Sequence, residues 1–121
     1  MSGFNEILCA MVERVPGAIG AVFVAWDGEP VGACAREMEV LDLEILGAQW
    51  LVVWCEIARA FGRARLGSPS ELWLEAERAR VMIHAVTEQY CVVLAVRPDA
   101  HLATVRRALE EGVTGLRAEM G

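Results

Sequence analysis

The stretch Asp42–Arg63 (DLEILGAQWLVVWCEIARAFGR) is apolar on more sides than one buried face requires. Its periodicity predicts a helix. At about 100° per residue, Leu43, Leu46, Trp50, Val53, Trp54, Ile57 and Phe61 form one broad stripe suited to the chain's own core. Ile45, Ala48, Val52 and Cys55 form a second stripe on the far side, among Glu44, Gln49, Glu56 and Arg59. A surface helix of a small domain normally turns charged side chains to water there. A second apolar face requires a second partner, and so short a chain points to another molecule for it.

The 121 residues suffice for one domain, 1–121, with a real core, and are too few for two ordinary ones. Apolar residues make up 55% of the chain, which excludes disorder and favours elements buried on both faces. All 11 basic residues are arginine, against 17 acidic ones, for a net charge of −6. That balance argues against a nucleic-acid binder, which needs a basic footprint, and against docking on an anionic membrane. The longest uncharged run in the helix, Ile45–Cys55, is too short for a membrane span, which needs about 20 residues. The start, MSGFNEILCAM, lacks a basic region and carries Glu6, which predicts no secretory signal and a cytoplasmic location. Cys9, Cys34, Cys55 and Cys91 are far apart with apolar neighbours, so buried free thiols are expected.

Ser2 is placed to cap a first helix over about residues 3–15, with Phe4, Ile7, Leu8, Met11, Val12 and Val15 on one stripe. Pro16-Gly17 stops it, Gly17 being suited to the left-handed position beyond a helix end. Ala18–Trp26 follows without a charge. Asp27-Gly28 signals a hairpin with a type I′ turn, which needs positive φ at both central residues. The return strand is Glu29–Arg36, where Pro30 removes a ladder donor and marks an edge. After the long helix come a Gly67-Ser68-Pro69-Ser70 loop, an alternating strand Glu71–Arg78, a mixed strand Arg80–Thr87, a turn at Glu88-Gln89 and a charge-free strand Tyr90–Val96. Pro98-Asp99 opens a last helix whose stripe is Leu102, Val105, Leu109, Val113 and Leu116, its later turns weakened by Gly112 and Gly115.

The two charge-free strands belong at the centre of a sheet covered on both faces. The Pro30 strand belongs at one edge and the alternating strand at the other. Linking hairpin neighbours gives an α/β (α+β) domain with a five-stranded antiparallel sheet in the order 2-1-5-4-3. The long middle helix takes one face and the two terminal helices the other.

This order, with Val15-Pro16-Gly17-Ala18-Ile19, with Val22-Phe23-Val24-Ala25-Trp26-Asp27-Gly28-Glu29 and with Gly67-Ser68-Pro69-Ser70-Glu71 leading into Leu72-Trp73-Leu74-Glu75, resembles the roadblock / dynein-light-chain domain family, in particular its prokaryotic, MglB-like branch. The likeness covers essentially the whole chain and lies in order and spacing. It implies a homodimer, or a heterodimer with a paralogous chain, in which second helices pack together and third strands join into one sheet. The dimer-interface residues it points to are Ile45, Ala48, Val52, Cys55, Arg59, Leu72, Trp73 and Leu74. It also implies a Ras-like small GTPase as partner, bound and held in a chosen conformation without a catalytic residue from this chain. It assigns no residue to GTPase contact.

Nothing in the sequence competes as a catalytic motif. His84 and His101 have no cysteine or carboxylate at metal-ligand spacing, and structural or surface roles are expected for both. Ser68 and Ser70 lack a G-x-S-x-G context, and the glycines form no phosphate-binding loop. Arg59, Arg63 and Arg65 complement the end of the long helix. Glu71, Glu75 and Glu77 share a strand face with Trp73, read as a solvated edge or, alternatively, as an acidic rim with an aromatic anchor. No cofactor and no metal is expected. The expected function is that of a non-enzymatic dimeric GTPase regulator or scaffold. An adaptor subunit of a larger assembly and a small-ligand sensor are the alternatives.

Overall fold

The computed structural model describes residues 3–121, so the expected Ser2 cap lies outside the described residues. The elements are α1 (Gly3–Arg14), β1 (Ala18–Ala25), β2 (Pro30–Ala35), α2 (Val40–Arg63), β3 (Glu71–Glu75), β4 (Arg80–Thr87), β5 (Tyr90–Val96) and α3 (Leu102–Glu119). The strands form one sheet in the order β2-β1-β5-β4-β3, as expected, and every neighbouring pair is antiparallel.

The charge-free strands are central because both of their faces are covered. On one side Phe23, Met82, Val92 and Leu94 pack with Leu8, Met11, Leu109 and Leu116 of α1 and α3. On the other, Val22, Val24, Ile83 and Val93 pack with Leu43, Leu51 and Trp54 of α2. The period-2 alternation of a strand therefore separates two cores, and neither face of β1 or β5 is left for a polar residue.

The inward stripe of α2 differs from expectation. Its buried residues are Leu43, Gly47, Leu51 and Trp54, with Leu46 and Trp50 beside them. Val53 and Phe61 stay exposed. Gly47 shifts the centre of the face. A Cβ built there would lie 2.7 Å from Val22 Cγ1, so the backbone of α2 rests almost directly on β1. In α3, Gly112 has a similar role. A Cβ there would overlap the buried Met11 side chain, so Gly112 sets how closely α1 and α3 approach, beyond its cost to helix propensity.

The β1–β2 turn also differs. Gly28 has φ +91°, but Asp27 does not have positive φ. Gly28 N–H donates to Ala25 O and Ala25 N–H to Glu29 O, both at 2.8 Å. This is a three-residue loop, a turn over Trp26-Asp27 closed by a left-handed glycine, rather than a two-residue type I′ turn. Asp27 Oδ1 accepts a hydrogen bond from Glu29 N–H at 3.0 Å. Gly17 has the expected left-handed φ of +91°.

β3 stops at Glu75 because Ala76 N–H bonds to Ala79 O at 2.8 Å and closes a tight turn. α3 starts at Leu102, after Ala100 N–H bonds back to Arg97 O at 3.1 Å and His101 stays extended.

Two glycines of α2 should answer oppositely to alanine. Gly62 has nothing within 4 Å of a built Cβ. Gly62→Ala should raise stability by about 0.5–1 kcal/mol through helix propensity. Gly47→Ala should lose about 1–3 kcal/mol, because Val22 is β-branched, fully buried and cannot yield cheaply. Urea midpoints of the two variants check both signs.

Candidate interaction surface

α2 roofs one side of the sheet alone, and its outer side is apolar. Leu41 is 65% exposed, Ile45 46%, Val52 66% and Val53 43%. Leu41, Ile45, Ala48 and Val52 recur every three or four residues and form one outward stripe, with Gln49, Glu56 and Arg59 between and beside them. Val53 stands on the flank that also carries Leu46, Trp50 and Ile57. The exposed apolar surface is thus wider than the sequence reading. It gains Leu41 and Val53, and loses part of Cys55, which is half-buried and packs against the core beneath α2. Leu41 lay outside the stretch read as helix, and α2 begins earlier, at Val40.

Leu72, Trp73 and Leu74 lie on β3, at the sheet edge opposite β2. Leu72 leans into the core beneath α2, Trp73 into the core beneath α1 and α3, and Leu74 is exposed. β3 has a strand neighbour on one side only, and it contains no proline.

Glu71 is not a solvated edge residue. Arg106 of α3 donates from Nη1 to its carboxylate, at 2.7 Å to Oε2, and Trp73 Nε1–H donates to the same oxygen. The Arg106 guanidinium stacks on the Trp73 ring at 4.8 Å from the centroid. His84 Nε2 stands 3.7 Å from Glu71 Oε1. Burial pulls the Glu71 carboxyl upward, but the hydrogen bonds from Arg106 and Trp73 and the positive charge of Arg106 outweigh it and hold it below its ordinary range. Glu71, Trp73 and Arg106 therefore clamp the edge strand to α3. Glu75 is more exposed and lies 2.7 Å from Arg80 Nε, while Glu77 is exposed beyond the strand.

A cleft of about 580 Å³ opens at the hairpin end of the sheet, between Trp26, Leu51, Trp54, Pro69 and Thr87, with Arg59 and Arg117 at its rim. Trp26 is 62% exposed. No local sequence signal marks this cleft, which joins five segments distant along the chain. Cys55 and Cys91 line it as free thiols. Burial, with Cys55 adding to it, pushes the Cys91 thiol up to about 12. Burial and then a hydrogen bond with Cys9 do the same for Cys34. Thiols held protonated in this way are poor nucleophiles.

The remaining candidates are dispersed. His101 lies at the start of α3 with Nδ1 3.2 Å from Thr104 Oγ1. Ser68 and Ser70 lie in the loop before β3, and Arg63 and Arg65 are exposed at the end of α2. Among the described residues, no cluster of three or more His, Cys, Asp or Glu could hold a metal ion, and no helix is long and apolar enough to cross a membrane.

No protein-family model matches the chain, and no curated protein matches it in sequence. Solved structures do. A roadblock/LC7 domain from Streptomyces avermitilis superposes with a TM-score of 0.86 at 15% identity, over 96% of each chain. Myxococcus xanthus MglB gives 0.85 at 11% identity, over 95% of this chain and 92% of that one. A structure of MglB with a tetrameric arrangement gives 0.86 at 14% identity, over 98% and 91%. The chain has the roadblock/LC7 fold. Among the described residues, the outer side of α2 and the outer edge of β3 carry no packed element.

The clamp on β3 has a pH signature. Glu71 titrates lower in the folded than in the unfolded chain, so its contribution is present above the unfolded carboxylate range and is lost as pH falls through the folded value. The stability difference between the wild type and Glu71→Gln should be constant near neutrality and shrink progressively below about pH 4.5. Urea titrations of both proteins from pH 7 to pH 3 check this. A difference that grows on acidification contradicts the clamp.

Proposed function

We propose that the chain is a non-enzymatic binding module that works as a dimer. Two copies join through α2 and β3, and the composite surface engages a Ras-like small GTPase and shifts the balance between its nucleotide states. The observation that carries the dimer is the exposed set Leu41, Ile45, Val52 and Val53 on α2, the helix that covers that side of the sheet. Folding of one chain with a net charge of −6 gains nothing from leaving this stripe bare. The tetrameric arrangement of the similar MglB structure supports self-association of this fold. The GTPase reading rests on the resemblance of the sequence to the MglB-like branch. The likeness to MglB in three dimensions supports the fold that this reading requires.

Because Val52 is two-thirds exposed, Val52→Arg should leave the monomer folded while placing a charge in a dry interface. The expected outcome is an unchanged circular dichroism spectrum with half the wild-type mass in light scattering. A Val52→Arg protein that keeps the wild-type mass would remove α2 from the interface.

The GTPase partner should bind with different affinities in its GDP and GTP forms, since a binder with equal affinity for both shifts nothing. Titration of small GTPases from the same genome, each loaded with GDP or a GTP analogue, should find one whose two forms differ by about tenfold or more. Equal affinities in every case, or no binding, sink the regulator reading and leave an adaptor role.

The cleft beside Trp26 supports one second reading, a sensor of a small apolar ligand. Its test is a ligand-dependent rise in melting temperature that Trp26→Ala abolishes.

A further inference from the structure

The cleft beside Trp26 is held in shape by main-chain bonds. Trp26 N–H donates to Gln89 O at 2.8 Å, which ties the β1–β2 loop to the β4–β5 turn. Ala85 N–H donates to Ser70 O at 3.0 Å, which ties the loop before β3 to the sheet. The floor is the buried side of α2, where Leu51 and Trp54 are nearly covered, and the exposed Trp26 ring is one wall. An apolar body entering the cleft meets walls already in place, so little ordering opposes its binding.

The rim carries charge unevenly. Arg59 is neutralised by Glu56, 2.7 Å away on the same helix. Arg117 belongs to α3, on the other face of the sheet, and reaches to the end of β4. There its Nε donates to Val86 O at 2.7 Å. That bond holds the guanidinium at the mouth of the cleft and leaves its two Nη groups as a fork. Among the described residues, no carboxylate pairs with it. Such a planar fork matches a carboxylate in bidentate fashion. Glu88 is on the same rim, but it is exposed in the β4–β5 turn, and among the described residues no bond turns it toward the cleft.

We infer that the cleft is a binding site for a small amphipathic monocarboxylate, an acyl or aryl chain with one acid group. Its apolar end lies between Trp26, Leu51 and Trp54, and its carboxylate sits on the Arg117 fork. The inference rests on the small-ligand reading of the cleft given above and names the chemical class of that ligand. Burial of the chain supplies the affinity. The head group stays at the mouth, in contact with water, so it gains charge-assisted bonds without the full cost of burying an ion. The same fork repels an ammonium head.

Titration of the wild-type protein at pH 7 with octanoate, 1-octanol and octylamine tests this, read by tryptophan fluorescence and calorimetry. Octanoate should bind at least about fivefold tighter than octanol, whereas a cleft that is only apolar prefers the alcohol. Octylamine should bind weakest. From butanoate to octanoate, each added methylene should tighten binding about two- to fourfold. Arg117→Gln should remove the preference for octanoate and leave the affinity for octanol unchanged, which also shows that the variant is folded. Octanol binding as tightly as octanoate overturns the inference and leaves the apolar-ligand reading standing. A preference for octanoate that survives Arg117→Gln, or an equal loss of both ligands in that variant, overturns it too. Binding of neither ligand in the millimolar range overturns the inference and the small-ligand reading together.

Discussion

Everything in this domain follows from two strands that have no polar side. β1 alternates Ala21 and Phe23 toward α1 and α3 with Val22 and Val24 toward α2, and β5 does the same with Val92 and Leu94 against Val93 and Ala95. Such a sheet has to be covered twice. The terminal helices share one face, where Gly112 lets them approach closely over Met11. The other face has α2 alone, drawn down onto Val22 at Gly47. One helix over five strands reaches the core with one side only, and the rest of its circumference is surface. That this surface is apolar, at Leu41, Ile45, Val52 and Val53, is a property of the sequence that folding of one chain does not require.

Magnitudes support the proposal that the helix and the strand edge share one interface. Burying an aliphatic side chain completely contributes about 1.5–3 kcal/mol. These four residues are already about half-covered, so hiding them on two copies would return on the order of 6–12 kcal/mol. Association costs about 4–15 kcal/mol in lost freedom. The helix face alone leaves a dimer marginal. In the proposed dimer, main-chain groups on the outer edge of β3 would add hydrogen bonds of about 1 kcal/mol each, and the clamp already orders that edge. Arg106 holding Glu71 and stacking on Trp73 thus links α3 to the edge strand β3.

Much of the architecture was readable from the chain itself. Absence of charge in Ala18–Trp26 and Tyr90–Val96 placed the central strands, Pro30 placed one edge, and the hairpin chain of neighbours fixed the order. What resisted reading depended on contacts far apart in sequence. The centre of α2's buried face lies at Gly47, which has no side chain to enter a hydrophobic period, so periodicity alone turns Val53 and Phe61 inward. Glu71 looked solvated because Arg106, its partner, is a whole strand pair and half a helix away. The Asp27-Gly28 pair promised a turn correctly, but a glycine with positive φ serves a three-residue loop as well as a type I′ turn. Trp26 and the cleft beside it carried no local signal, since the walls come from α2, the loop before β3 and the β4–β5 turn.

The central claim is that the outer side of α2 is an interior surface of a larger particle. Sedimentation equilibrium of the wild-type chain at micromolar concentration tests it most directly. The account predicts a species of about twice the 13.2 kDa chain mass that persists on dilution through the low micromolar range and in high salt, since the contact is apolar. A single 13.2 kDa species across that range would contradict it.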